Sequence, residues 1–218
     1  TNGKVLPKDR VRFSRHAAQE EKTKLAKLIL TEEDQNKKAI LLTVFRSIGF
    51  PLDPSEIIRY ATSEDPDLSQ IAYEVLGNSK NESVLDFGTA LLKSKQHLDD
   101  AICMLITNYS PKIKSLLLST LNNIEINYSD ENNWHGIVLH IIGAFGERKV
   151  MGLPKELLLF VYERSLCSCC RESAVRYLSE HRWLNDQLVY ECAYDSYSNI
   201  RKYINRYYKK KVTNEVNL

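Results

Sequence analysis

Ala101–Ile102–Cys103–Met104–Leu105–Ile106 holds two apolar pairs, Ala101–Ile102 and Leu105–Ile106, one helical turn apart. Positions i, i+1, i+4 and i+5 share one stripe of an α-helix, because successive residues turn by about 100°. The stripe recurs along the chain. Upstream it is Ile71, Ala72, Val75 and Leu76, and before that Ile40, Leu41, Val44 and Phe45. Downstream it is Ile137, Val138, Ile141 and Ile142, then Ala174, Val175 and Leu178, with Ser179 in the last place. A worn sixth copy keeps only Ile200 and Ile204. Successive starts lie 31, 30, 36, 37 and 26 residues apart. That interval leaves room for a second helix and two turns per copy.

The second helices announce themselves by their openings. Asp53–Pro54 offers a cap followed by a proline at the first helical position, where a missing N–H costs nothing. Asn81–Glu82 opens the next, and Ser110–Pro111 repeats the cap-then-proline start. Gly152–Leu153–Pro154 precedes the apolar run Leu157–Val161, although Leu153 is a poor cap. Asn185–Asp186 opens the last. Glu20 to Leu30 reads as an N-terminal capping helix, and Thr31–Glu32–Glu33–Asp34 starts the element after it. Residues 1–19 form a basic segment expected to be extended or disordered; residues 20–211 are expected to form a single repeat domain, with 212–218 as a tail. Asn122 to Asn133, rich in Asn and acidic residues, is the expected long loop.

These stripes, with polar openings such as Asp65–Pro66–Asp67 and Asp195–Ser196, resemble HEAT repeats of the short, HEAT-like class over residues 34–210. The resemblance implies an all-α, right-handed α-solenoid of about five to six helical hairpins and, loosely, a scaffold role. It transfers no catalytic residue. A generic helical bundle is the competing architecture.

Composition agrees with helices. Glycine (8) and proline (6) are scarce for a β-sandwich or a doubly wound fold of 218 residues. No apolar run reaches the 18 or more residues of a membrane span, and residues 1–15 lack the apolar core of a signal peptide. A start at Thr1 suggests a processed or excised piece of something longer. The five cysteines are odd in number and three crowd into Cys167–Ser168–Cys169–Cys170, so reduced thiols in a cytoplasmic setting are expected.

No catalytic constellation emerges. The run Cys167, Cys169, Cys170 supplies half of a zinc site, with Cys192 and His181 as distant candidates, but at a helix start its side chains diverge. Packing thiols and no metal are expected. His135 and His140 are five apart, which is off one helical face, and Trp134 beside them suggests packing. No G-x-S-x-G and no glycine-rich phosphate loop is present. Asp99–Asp100 and Glu32–Glu33 lie near helix starts, where they favour the positive dipole end, and Gly143–Ala144–Phe145–Gly146 marks a helix end. No enzyme activity and no cofactor are expected.

Charge is distributed unevenly. Residues 1–27 carry eight Lys or Arg against three acids, residues 201–211 carry six with no acid, and residues 50–100 carry four against ten. Two basic ends flanking an acidic stretch are expected. The leading expectation is a non-enzymatic protein-interaction scaffold with Tyr73, Arg176 and Tyr203 as partner-binding residues. The rival is nucleic-acid binding like that of HEAT-like DNA-repair glycosylases, with Trp183 beside His181 and Arg182 and with Arg201 in the basic C-terminal run. Anionic lipid is a further candidate for the basic ends. The run Lys8, Arg10, Arg12, Arg15 fits a third reading, the cytosolic part of a membrane-anchored protein.

Overall fold

The computed structural model describes residues 7–124 and 131–215, and the side chains of 11–124 and 134–207. The chain is all-α: among the described residues there are thirteen α-helices, two short 3-10 turns and no strand. It divides into two compact units, Thr1–Ile113 and Lys114–Leu218. None of the described helices is long and apolar enough to cross a membrane.

In the first unit α1 (Pro7–His16) and α2 (Gln19–Thr31) precede α3 (Gln35–Leu42), which winds into a 3-10 turn at Thr43–Phe45. Then come α4 (Ser55–Ala61), α5 (Pro66–Leu76), α6 (Glu82–Ser94) and α7 (Leu98–Thr107). Pairs α4–α5 and α6–α7 pack side by side, α5 lies between α3 and α7, and α4 rests on α6. In the second unit α8 (Lys114–Asn123) and α9 (Glu131–Phe145) precede α10 (Glu156–Arg164), α11 (Ser168–Glu180), α12 (Asp186–Ala193) and α13 (Ser198–Glu215). The same pattern holds there: α10 pairs with α11 and α12 with α13, while α11 lies between α9 and α13.

The apolar stripes supply the core. In α7 every residue from Ala101 to Thr107 is buried, and Ala72, Val75, Leu76, Ile137, Val138, Ile141, Ala174, Val175 and Leu178 are buried too. Each fully buried aliphatic contributes about 1.5–3 kcal/mol relative to exposure. The first copy is displaced by one residue: Ile40 is 45% exposed, and Ala39 and Leu42 are buried instead. The cause is the shortness of α3. Its last turn tightens to three residues per turn, which carries Val44 and Phe45 inward while Ile40 faces out.

Polar openings work as caps. Asp34 Oδ1 accepts from the Lys37 N–H at 3.1 Å, Asp65 Oδ1 from Leu68 at 3.0 Å with Pro66 leading α5, and Asn185 Oδ1 from Leu188 at 2.8 Å. Asn81 accepts from Ser83 at 2.9 Å. Asp53 caps one residue early, accepting from the Ser55 N–H at 2.8 Å, so Pro54 itself occupies the cap position.

Three boundaries differ from expectation. Residues 7–16, expected to be extended, form α1; it is mostly polar and packs on the Thr43–Phe45 turn, so its helicity leaves little apolar periodicity to read. The tail expected from 212 is helical as far as Glu215. The long loop expected at 122–133 has helical ends at Asn123 and Glu131, and its middle, 125–130, lies outside the described residues.

Polar side chains at the ends of helices tie one hairpin to the next. Asn78, just past α5, donates to the Arg46 carbonyl at 2.7 Å and back to Glu74 at 3.3 Å. Thirty residues on, Asn108 donates to the Ser79 carbonyl at 3.0 Å and back to Met104 at 2.9 Å, and accepts from the Asn81 N–H at 2.8 Å. Ser79 Oγ accepts from the Phe50 N–H at 2.9 Å, and Thr107 Oγ1 donates to the Gly77 carbonyl at 2.6 Å. Gly49 adopts φ +74°, and a Cβ there would run into the Asn78 carbonyl, so the turn has room only for glycine. In the second unit arginines in the first turns of α11 and α13 brace the link just before their own helix, and Arg171 also donates across a repeat to Asp195 Oδ1 at 3.3 Å. Arg171 reaches back to the carbonyls of Ser165 (3.2 Å) and Leu166 (3.5 Å). Arg201, thirty residues later, reaches those of Asp195 (2.6 Å) and Ser196 (2.8 Å). This register pairs Ile200 and Ile204 with Cys170 and Ala174, all buried, so the 26-residue interval read from the stripes is four short of the structural repeat.

Asn108→Ala removes a donor and an acceptor from part-buried backbone groups. It is expected to lower unfolding free energy by about 1–3 kcal/mol in urea denaturation, whereas Asn123→Ala, on an exposed helix end, stays within about 0.5 kcal/mol.

Candidate functional site

The residues expected at a partner surface fall into different settings. Tyr73 is a correction: it is only 4% exposed. Its ring stacks on His97 at 4.1 Å and on Phe87 at 6.1 Å, because the α6–α7 link folds over this face of α5. Together with Ser63, Ser69 and Gln96 these rings wall a groove of about 710 Å³ in the first unit. Burial, then the nearby Asp100 carboxylate, raises the Tyr73 pKa.

Asp100 lies close by, its Oδ2 3.7 Å from His97 Nδ1. Desolvation, then the charges of Asp99 and Glu74, pushes its pKa up to about 7. Its place in the first turn of α7 offsets part of that penalty through the helix dipole.

In the second unit Arg176 and Tyr203 do meet. The exposed guanidinium lies 5.5 Å from the Tyr203 ring centroid, while its Nε and Nη2 donate to Glu172 Oε1 at 3.0 and 2.6 Å. Trp183 is half-buried, stacked on His181 at 4.5 Å and edge-on to Phe145 at 6.2 Å. It gets there because Arg182 takes the left-handed conformation (φ +59°) and the Trp183 N–H closes back on the Leu178 carbonyl at 2.8 Å. Arg201 is half-buried and committed to the Asp195 and Ser196 carbonyls, so it braces a link and does not present a free cation.

The thiols separate. His181 belongs to the aromatic cluster, and Cys192 is buried beside Tyr162. What folding brings to the run is His135 of α9: its Nε2 lies 3.4 Å from Cys170 Sγ, and one ligand atom each of His135, Cys167 and Cys170 lies within 4.8 Å of the others. Burial raises the Cys170 thiol to about 12, with Cys167 adding to the shift. Burial works against the Cys167 thiolate as well, but the backbone and thiol groups of Cys170 and Cys169 outweigh it and lower its pKa.

One aromatic pair escaped the sequence reading. Tyr190 on α12 and Tyr194 just after it are 66% and 73% exposed, with rings 5.0 Å apart. The signal was present: Leu188, Val189 and Cys192 are the buried side of α12, which leaves i and i+4 tyrosines on the other face.

No family model matches the chain, and neither a curated protein nor a solved structure matches it.

The raised pKa of Asp100 makes the folded state hold its proton more tightly than the unfolded chain. The contribution of Asp100 to stability therefore falls as pH rises from 3.8 to about 7 and is flat above. Asp100→Asn is expected to flatten that fall and to add roughly 2 kcal/mol at pH 8, with little change near pH 4, as read by thermal denaturation across pH.

Proposed function

We propose that the chain is a non-enzymatic protein-interaction scaffold in which each unit is a short HEAT-like stack of helical hairpins. Support for the stack comes from the alternate-helix packing in both units, from the Asn78 and Asn108 bridges thirty residues apart in the first, and from the equivalent link braces of Arg171 and Arg201 in the second. A rigid backbone of this kind presents side chains at fixed spacing, which suits recognition of an extended or helical segment of another protein.

The observation that carries the reading is the exposed pair Tyr190–Tyr194. Tyrosine offers a large amphipathic contact area at low conformational-entropy cost, and it is enriched among residues whose truncation weakens complexes. The Arg176–Tyr203 pair of the same unit supplies a second contact with a cation, worth about 0.5–1 kcal/mol at an exposed site before any partner arrives. Nucleic-acid binding draws less support. Arg176 is paired with Glu172 and Arg201 donates to carbonyls of its own link, so neither of these two presents an unengaged cation to phosphate.

Affinity capture from extract is expected to retain a discrete protein through nuclease treatment and moderate salt. Tyr190→Ala combined with Tyr194→Ala is expected to weaken that complex more than about tenfold, the size of a typical hot-spot loss. Equal retention by the double variant, or recovery of nuclease-sensitive, salt-labile material alone, contradicts the proposal.

A further inference from the structure

We propose that His135, Cys167 and Cys170 form a three-ligand site for a soft divalent metal ion, with zinc the best chemical match.

The geometry is the first argument. A tetrahedral zinc ion with sulfur at about 2.3 Å and nitrogen at about 2.0–2.1 Å sets its ligand atoms about 3.5–3.8 Å apart. Cys170 Sγ and His135 Nε2 stand 3.4 Å apart, and all three ligand atoms fall within 4.8 Å of one another.

The scaffold is the second. Cys167 is the cap residue of α11 and Cys170 lies in its first turn. The C-x-x-C interval puts both thiols on one side of the helix start, as i and i+3 require. Cys169 diverges: it is exposed, with its Sγ 4.0 Å from Tyr197 Oη. His135 comes from α9, which packs against α11, and its neighbour Trp134 anchors that end of α9 by packing on Phe160 at 5.3 Å. The second half that the cysteine run lacks is thus delivered from 32 residues upstream.

Donor chemistry is the third. Two thiolates and an imidazole select zinc-like ions over magnesium, calcium or manganese, which prefer oxygen. Binding displaces the two thiol protons to solvent while imidazole donates its lone pair. Cys170 is 5% exposed, whereas Cys167 and His135 are half-exposed, so the site is buried on one side and open on the other. Three protein ligands with an accessible side leave the fourth position to water or to an outside ligand.

Cobalt(II) titration of the reduced full chain tests this, with zinc as competitor. The expected result is one cobalt per chain, showing thiolate charge-transfer and tetrahedral visible bands that one equivalent of zinc abolishes. Cys167→Ser and Cys170→Ser are expected to weaken binding by ~100-fold or more, at least the cost of losing an outer-shell partner. His135→Ala is expected to weaken it and to shift the bands, whereas Cys169→Ser and Cys192→Ser leave both unchanged. Alkylation mapped by mass spectrometry needs no variant: zinc is expected to protect Cys167 and Cys170 and to leave Cys169 as reactive as before. Absence of a stoichiometric thiolate–cobalt spectrum, or equal alkylation with and without zinc, overturns the proposal. A Cys167–Cys170 disulfide that forms in air as readily with zinc as without it overturns it in favour of a thiol redox pair.

Discussion

The links between helices carry backbone N–H and carbonyl groups that the packing of the next hairpin takes away from water. A buried group left unpaired costs about 1–3 kcal/mol. Here the partner comes from the end of a helix one repeat further on. Asn108 serves both the Ser79 carbonyl and the Asn81 N–H, Ser79 serves the Phe50 N–H, and Asn78 serves the Arg46 carbonyl. A side chain fixed to a helix end can reach the preceding link only if helix, turn and return helix together have a set length. The thirty-residue interval between Asn78 and Asn108 expresses that requirement. The second unit joins its repeats differently: the Arg171 guanidinium donates to Asp195 Oδ1 at 3.3 Å, in the link after α12, while Arg171 and Arg201 each brace the link just before their own helix.

Burial of the stripes follows from this spacing. Where the stripe is wholly apolar and the helix runs regular to its end, as in α7, the sequence and the structure agree residue for residue. They part where the helix is short. In α3 one turn of tighter helix moves the buried set from Ile40 to Ala39 and Leu42, which no count of apolar residues reveals. The sixth copy was misaligned because its counterpart to Ile200 is Cys170, a residue that reads as chemistry and packs as a small hydrophobe. α1 is a mostly polar helix held by tertiary contact, so its sequence carries no stripe of the kind the other helices show.

The candidate sites were less legible than the fold. Tyr73 lies in the middle of a correctly read helix, yet its burial depends on a link 24 residues away folding over it at His97. Arg201 sits in a basic run that suggests a ligand, but its nearest oxygens belong to its own chain. Tyr190 and Tyr194 stand out only after Leu188, Val189 and Cys192 are known to face inward. The thiol–imidazole cluster depends on α9 lying against α11, a contact that the local spacing of Cys167, Cys169 and Cys170 does not encode. For Tyr73 and for the thiol–imidazole cluster, local periodicity is visible in the sequence while the deciding contact is made across helices.

Hydrogen exchange at the Phe50 and Asn81 amides reads whether these bridges hold the repeats together. Both belong to links, where backbone amides ordinarily exchange fast, yet both donate to a side chain of the next repeat. Protection approaching that of the core amides of α5 and α7 is expected, falling together when the repeats separate. Exchange at the rate of an exposed loop would contradict this, and would leave the helices packed by their apolar stripes alone.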